Sequence, residues 1–310
     1  MIDAPERALP ATQPLRGLAR WRPSTRDERL AYRLLFPVLG VVVAIVTLPF
    51  LIALWESFLG RDGAFVGLEN YGRAITNPGF FQSVGATAIY AAAVLPTQML
   101  VGLGLALLVQ RTIRSPTLRA VLYVLAIIPI VIPPVAVGVV ARLIYGADYG
   151  VLNHLLIETG LIQKELPWLS SPAGAMFTVA SVDIWQWTPF VYLVLFAGLQ
   201  TVPQETVEAA QVDGASSWQQ FWHIELPYLR PLLLLVLFFR VADVMRVFDH
   251  VFVLTGGGPG DTTQFLSLWI YRIAFKFSDA GHAAALAVLV MITMVVGYSV
   301  VTRFLPVERD

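Results

Sequence analysis

The chain is dominated by long apolar stretches separated by short polar ones. Six of these stretches reach the roughly 20 residues that a helix needs to cross a hydrocarbon core about 30 Å thick. They run at about Leu34–Trp55, Val84–Val109, Leu118–Ile144, Ala173–Leu199, Tyr228–Leu254 and Ala283–Leu305. The predicted fold class is therefore all-α, a polytopic membrane protein of about six transmembrane helices. Proline falls inside several of them, at Pro49, Pro96, Pro129, Pro133, Pro134 and Pro189. Bilayer helices tolerate proline where neighbours re-satisfy the freed carbonyl, so kinks are expected there and a break at Pro133-Pro134.

The polar segments set the orientation. Seven arginines lie in the first 33 residues, and with the N-terminus inside, the inner side holds 13 basic residues against five outside, with Arg119, Arg230 and Arg303 at the inner ends of their spans counted in. Basic residues favour the cytoplasm, which puts both termini there. The first apolar run is 22 residues long, longer than a cleaved signal core of roughly 7–15, so it reads as a retained anchor. Residues 1–29 read as a disordered cytoplasmic tail and 30–310 as the transmembrane domain. Three connections are long: Leu59–Ser83 and Gly146–Pro172 outside, Gln200–Pro227 inside. A further outer stretch opens with the flexible Thr255-Gly256-Gly257-Gly258-Pro259-Gly260. It leads into Phe265–Phe275, which is apolar but too short to span and reads as an interfacial or re-entrant helix with Trp269 and Tyr271 at headgroup level.

Composition agrees with a chain that faces lipid. Hydrophobic residues are 57% and charged residues 14%, too little charge to cover a soluble surface. The net charge is zero, so no nucleic-acid partner is indicated. The absence of cysteine removes disulfides, thiolate metal sites and cysteine nucleophiles.

The inner loop has a readable local structure. Thr201 with Gln204 forms a capping-box pair with Pro203 in the first turn. Gly214, after Asp213, supplies the left-handed conformation that closes a helix. Ser216 with Gln219 is a second capping box, and this second helix is predicted to end before Pro227. The same loop carries Glu208-Ala209-Ala210, then Gly214, then Ile224-Glu225-Leu226-Pro227. This resembles the signature E-A-A-x3-G-x9-I-x-L-P of the permease subunits of binding-protein-dependent ABC importers, with every spacing matched. The resemblance extends to Phe65–Tyr71, Asp183–Phe190 and Val247–Gly260, which are similar to the carbohydrate-uptake branch and, within it, to the first permease of maltose and glycerol-3-phosphate importers. It implies a heterodimer with a second permease subunit, a pair of ABC ATPase subunits inside, an extracytoplasmic solute-binding protein outside, and a bacterial or archaeal plasma membrane. The arginine-rich tail departs from that pattern and carries no motif.

The residues supply no energy source. A phosphate-binding loop needs Gly-Lys-Ser/Thr, and the two lysines, Lys164 and Lys276, follow no glycine. No nucleophile–base set and no metal-ligand spacing is visible, and the four histidines are scattered. The chain is thus expected not to be an enzyme and to hold no cofactor or metal of its own, with ATP and Mg bound by a partner ATPase. By resemblance, Glu208, Ala209, Ala210, Asp213, Gly214, Ile224, Leu226 and Pro227 couple to that ATPase. Trp218, Phe221 and Trp222 offer apolar anchors for a groove, or alternatively sit in the lipid interface.

Charges within spans are the remaining signal. Arg240, Asp243, Arg246 and Asp249 recur every three residues in the fifth stretch, close enough on a helix to interact. A charge at the bilayer centre costs about 2.5–3.5 kcal/mol, so alternating signs let the set neutralise itself. The stripe reads either as a polar lining of a translocation path or as a structural ladder. Asp183 with Trp185, Gln186 and Trp187 is a second candidate lining, since aromatic faces stack on sugar rings and carboxylates accept hydroxyl hydrogen bonds. The expected function is an importer permease for a sugar or related polyol. The alternative is an ion- or proton-coupled secondary transporter, with the charged stripe as a relay.

Overall fold

The computed structural model describes residues 26–304. The chain divides into two compact units, residues 1–52 and 53–310. The described part of the first is a single helix, α1 (Arg26–Glu56), which continues for four residues into the second. Most of the tail assigned to residues 1–29 lies outside the described residues, and Arg26–Arg29 are already helical.

The second unit is helical because its apolar stretches leave no other way to satisfy backbone N–H and C=O groups away from water. Its first elements are α2 (Glu69–Thr76) and α3 (Pro78–Thr112). Next come α4 (Pro116–Val131) and α5 (Pro134–Tyr145), α6 (Val151–Glu158) and α7 (Pro172–Leu199). Three of these begin alike: Asn77, Ser115 and Ser171 accept hydrogen bonds from the first-turn amides, and each is followed by proline. That pairing of a capping oxygen with a proline, whose missing N–H costs nothing there, is a strong start signal. It explains why α3 begins at Pro78, six residues before its apolar run.

Among the described residues, Tyr32–Glu56, α3, α7 and Ala280–Ser299 are long and apolar enough to cross a membrane. The third apolar stretch is broken where expected: α4 and α5 meet at 92°. The fifth stretch differs from expectation. It is α10 (Leu226–Met245) followed, after an interruption at 246–248, by the short α11 (Asp249–Leu254). Twenty residues at about 1.5 Å each suit α10 to a crossing, although Arg230, Arg240 and Asp243 make it less apolar than the others. Counting the bent pair as one span gives five candidate crossings among the described residues, and α10 is long enough to be a sixth. The last elements are α12 (Leu266–Tyr271), a π turn over Arg272–Lys276, and α13 (Ala280–Phe304).

α7 lies at the centre. Val191, Leu195 and Phe196 pack with Ala106 of α3 and Leu229 and Val236 of α10. Toward its other end Val179 and Val182 pack with Tyr90 and Val94 of α3, Val137 of α5 and Val251 of α11. The stretch Phe265–Phe275 does not span. Phe265 and Leu268 are buried, Phe265 stacks on Tyr90 at 4.6 Å, and the Leu266 amide donates to Thr87 Oγ1 at 3.0 Å.

The interrupted helices α4–α5 and α10–α11 meet through their second halves. A Cβ on Gly138 of α5 would sit 3.1 Å from His250 Cα and Val253 Cβ of α11, so a larger residue would need α11 to give by a few tenths of an ångström. Arg142 Nη1 donates to the Val253 carbonyl at 3.2 Å, meeting one of the carbonyls that a helix end leaves open.

Candidate functional site

Two sets of candidate residues occupy different places. The first lies where α3, α7 and α10 converge. Asp183 of α7 and Arg240 of α10 are both buried, with Arg240 Nη2 2.7 Å from Asp183 Oδ2. Gln98 of α3 completes the group: its Nε2 donates to the Asp183 carbonyl and Oδ2, both at 3.0 Å, and its Oε1 accepts from Arg240 Nε at 2.9 Å. The Trp187 ring lies 5.0 Å from the Arg240 guanidinium carbon, within cation–π range. From Arg240 the chain of charges continues to Asp243 Oδ2 at 3.3 Å, and Asp243 Oδ1 accepts from Arg246 Nη2 at 2.7 Å. The exposure of these side chains rises along the series, from 1% at Arg240 through 28% at Asp243 to 77% at Arg246. The result is a neutral row of four charges, fixed at one end and wet at the other.

This arrangement corrects two expectations. Asp249 does not extend the ladder: α10 stops at Met245, and Asp249 opens α11 beyond the interruption, so the three-residue spacing no longer places it beside Arg246. Nor do Asp183, Trp185, Gln186 and Trp187 share one lining. Helical spacing turns Trp185 to the opposite side, where it is exposed. Gln186 is buried, and its Nε2 donates to the Ile132 carbonyl at 2.9 Å, the carbonyl at the α4–α5 break. Gln98 was not singled out in the sequence, although it is the sole glutamine within Val84–Val109 and a lone amide in an apolar helix is a readable signal.

The second set forms an elbow between α7 and α10. It comprises α8 (Gln204–Val212), α9 (Ser217–Gln220) and a π turn over Phe221–Glu225. The first arm closes in a Schellman motif: Gly214 N donates to Gln211 O at 3.0 Å and Ala215 N to Ala210 O at 2.9 Å, with Gly214 at φ 80°. The Ser216–Gln219 capping box is present. The Thr201–Gln204 box is not. Thr201 Oγ1 donates instead to the Gly198 carbonyl at 2.8 Å, because Thr201 still belongs to the turn that ends α7. Pro203 is the cap residue. The second arm does not stop before Pro227. The wide π turn, with the Leu226 amide reaching back to Phe221 O, makes room for the proline ring and runs straight into α10.

Glu208, Ala209, Asp213, Gly214 and Pro227 are exposed, and Ala210, Ile224 and Leu226 half-buried. A hollow of about 330 Å³ lies between the arms, lined by Ala210, Asp213, Gly214, Gln219, His223 and Ile224. Val212, Trp218 and Trp222 are open to solvent, Val212 the most at 88%. The base is fastened to α3, where Arg111 Nη2 meets Glu225 Oε2 at 2.7 Å and the Ser217 carbonyl at 3.2 Å.

A bundle of apolar crossings that keeps an ion-paired interior and projects a stiff polar elbow is the build of a membrane transport subunit. The comparisons with known proteins agree: residues 98–307 match the family described as binding-protein-dependent transport system inner membrane component, and the chain belongs to that family. It is 34% identical over 282 residues to the trehalose/maltose transport system permease protein MalF of Thermococcus litoralis, covering 89% of this chain and 93% of that one. It is 32% identical over 276 residues to the trehalose transport system permease protein SugA of Mycobacterium tuberculosis, covering 85% and 84%. Among solved structures, it shares its fold with a chain of a bacterial ABC transporter involved in import of the acidic polysaccharide alginate. That match has a TM-score of 0.76 at 22% identity and covers 92% of this chain and 98% of the other.

Proposed function

We propose that this chain is the permease subunit of a bacterial or archaeal plasma-membrane importer for a sugar or related polyol. It forms half of the translocation path with a second permease, receives substrate from an extracytoplasmic binding protein, and is driven by ATP and Mg held in separate ATPase subunits. The substrate class rests on relatives named for trehalose and maltose. The observation that carries the coupling role is the elbow. Its exposed apolar tips, Val212, Trp218 and Trp222, stand on a base tied to α3 by Arg111–Glu225. A stiff arm with apolar anchors suits a groove on a moving partner, and exposed Glu208 is free to form a charge-assisted bond with a basic group there.

The test is uptake of labelled disaccharides into vesicles holding the whole importer, with ATPase stimulation by the loaded binding protein measured in parallel. Glu208→Lys is expected to leave the protein inserted and to abolish both. Wild-type uptake and stimulation would reduce the elbow to a passive connector. In the translocation path, the exposed end of the charged row, Asp243 and Arg246, is the part available to substrate hydroxyls, while Asp183 and Arg240 hold the helices that carry it.

A further inference from the structure

A second polar centre, unrelated to the charged row and the elbow, lies where α2, the 272–276 turn and the start of α13 meet. Asp279 is buried and receives two guanidiniums on one oxygen: Arg73 Nη2 at 2.7 Å and Arg61 Nε at 3.3 Å from Oδ2. Its other oxygen accepts the His282 amide at 3.2 Å. Arg61 Nη2 also donates to the Phe277 carbonyl at 2.6 Å, and Arg73 Nη1 to Asn70 Oδ1 at 3.1 Å. Arg61, Arg73, Asp279 and His282 line an open cleft of about 330 Å³ walled by Trp269 and Phe277. Two arginines against one carboxylate leave a surplus positive charge.

Two further atoms in the lining have no protein partner. His282, 4% exposed, leaves Nε2 without one, and Trp269 leaves its buried Nε1–H without one. An indole N–H can only donate, and a buried donor left unmet is costly. Surplus positive charge, an unmet indole donor and an unpartnered imidazole nitrogen together suit a ligand rich in anionic oxygens. Depth selects the kind. His282 is the third residue of the apolar helix that begins at Ala280, so the cleft sits at the rim of a crossing, where indole rings and lipid headgroups share one level. Phe277 and Phe275 are exposed beside it, the latter at 73%, which suits the upper acyl chain better than water. Guanidinium forks match phosphate geometry.

We propose that this cleft binds the phosphate headgroup of an anionic phospholipid. The test uses the solubilised full-length chain in its complex, stripped of lipid and examined by native mass spectrometry after adding phosphatidylglycerol or, separately, phosphatidylcholine. One phosphatidylglycerol is expected to be retained selectively. Arg61→Gln is expected to lower its occupancy about tenfold, while Arg61→Lys, which keeps the charge but loses the fork, falls between the two and Lys276→Gln, outside the cleft lining, leaves it unchanged. Arg61 is 59% exposed, so folding of the variant is expected to survive and is checked by its unfolding temperature. Equal retention of the two lipids, or unchanged retention in Arg61→Gln, overturns the proposal. Displacement of the lipid by inorganic phosphate at tenfold excess shows a free-anion site and overturns the lipid assignment too.

Discussion

Asp183 and Arg240 stand 57 positions apart in the chain, yet their side chains meet at 2.7 Å with almost no solvent on either. Gln98 bonds to both, so three helices share one polar knot.

Removing one partner of such a pair strands the other charge, which typically costs about 3–5 kcal/mol, whereas removing both is far milder. Arg240→Ala and Asp183→Ala are each expected to lower the unfolding temperature in detergent sharply, and Asp183→Ala/Arg240→Ala to recover part of the loss. A double variant as unstable as the two single losses added together would contradict the pairing.

The exposed end of the row should behave differently. Arg246 pairs with Asp243, is mostly solvated, and the pair is worth under about 1 kcal/mol. A double-mutant cycle on stability should give a small coupling between Arg246 and Asp243, and none between Arg246 and Asp249. Coupling to Asp249 instead would mean that α10 continues unbroken through the interruption.

At Gly214 the difficulty for a side chain is conformational and not one of space. A Cβ there meets nothing within 4 Å, but the residue sits at φ 80°. A non-glycine residue in that region costs about 1–2 kcal/mol, least for asparagine. Gly214→Val is expected to loosen the elbow and abolish uptake and ATPase stimulation, while Gly214→Asn retains much of both. Equal loss in the two variants would show that the glycine is needed for close approach of a partner.

Asp279 gives an acid dependence. Burial raises its pKa, but hydrogen bonds from Arg73 and the His282 amide, with the charges of Arg73 and Arg61, outweigh burial and hold the carboxyl below its ordinary value. A carboxylate depressed in the folded state stabilises fully above its unfolded pKa of about 3.9 and loses that contribution as pH falls through the lower folded value. Asp279→Asn is therefore expected to lower the unfolding temperature at neutral pH and to reduce its decline below about pH 4. An unaltered pH profile in the variant would remove the carboxylate from this role.

What the sequence revealed was mostly local. The Schellman turn at Gly214 and the Ser216–Gln219 box depend on residues within one turn of each other, and both were readable. The Thr201–Gln204 box failed because Thr201 was claimed by the end of α7, a tertiary decision. Spans were visible as apolar runs, but runs apolar on all sides do not disclose their rotation. The meeting of Asp183 with Arg240 could not be read for that reason, and Trp185 could not be separated from Trp187 except by supposing a helix and choosing a face. Asp249 shows the opposite error: perfect spacing was extended across a break that no proline or glycine announces.

The contact between α5 and α11 has a mechanical consequence. The backbone of α11 touches Gly138 with no side chain between, and Arg142 holds the carbonyl of Val253. Sliding either segment past the other by a fraction of a residue would drive His250 into α5 or strip a guanidinium of its acceptor. Bending at one interruption alone would disturb this contact, so the packing favours movement of the two short helices together.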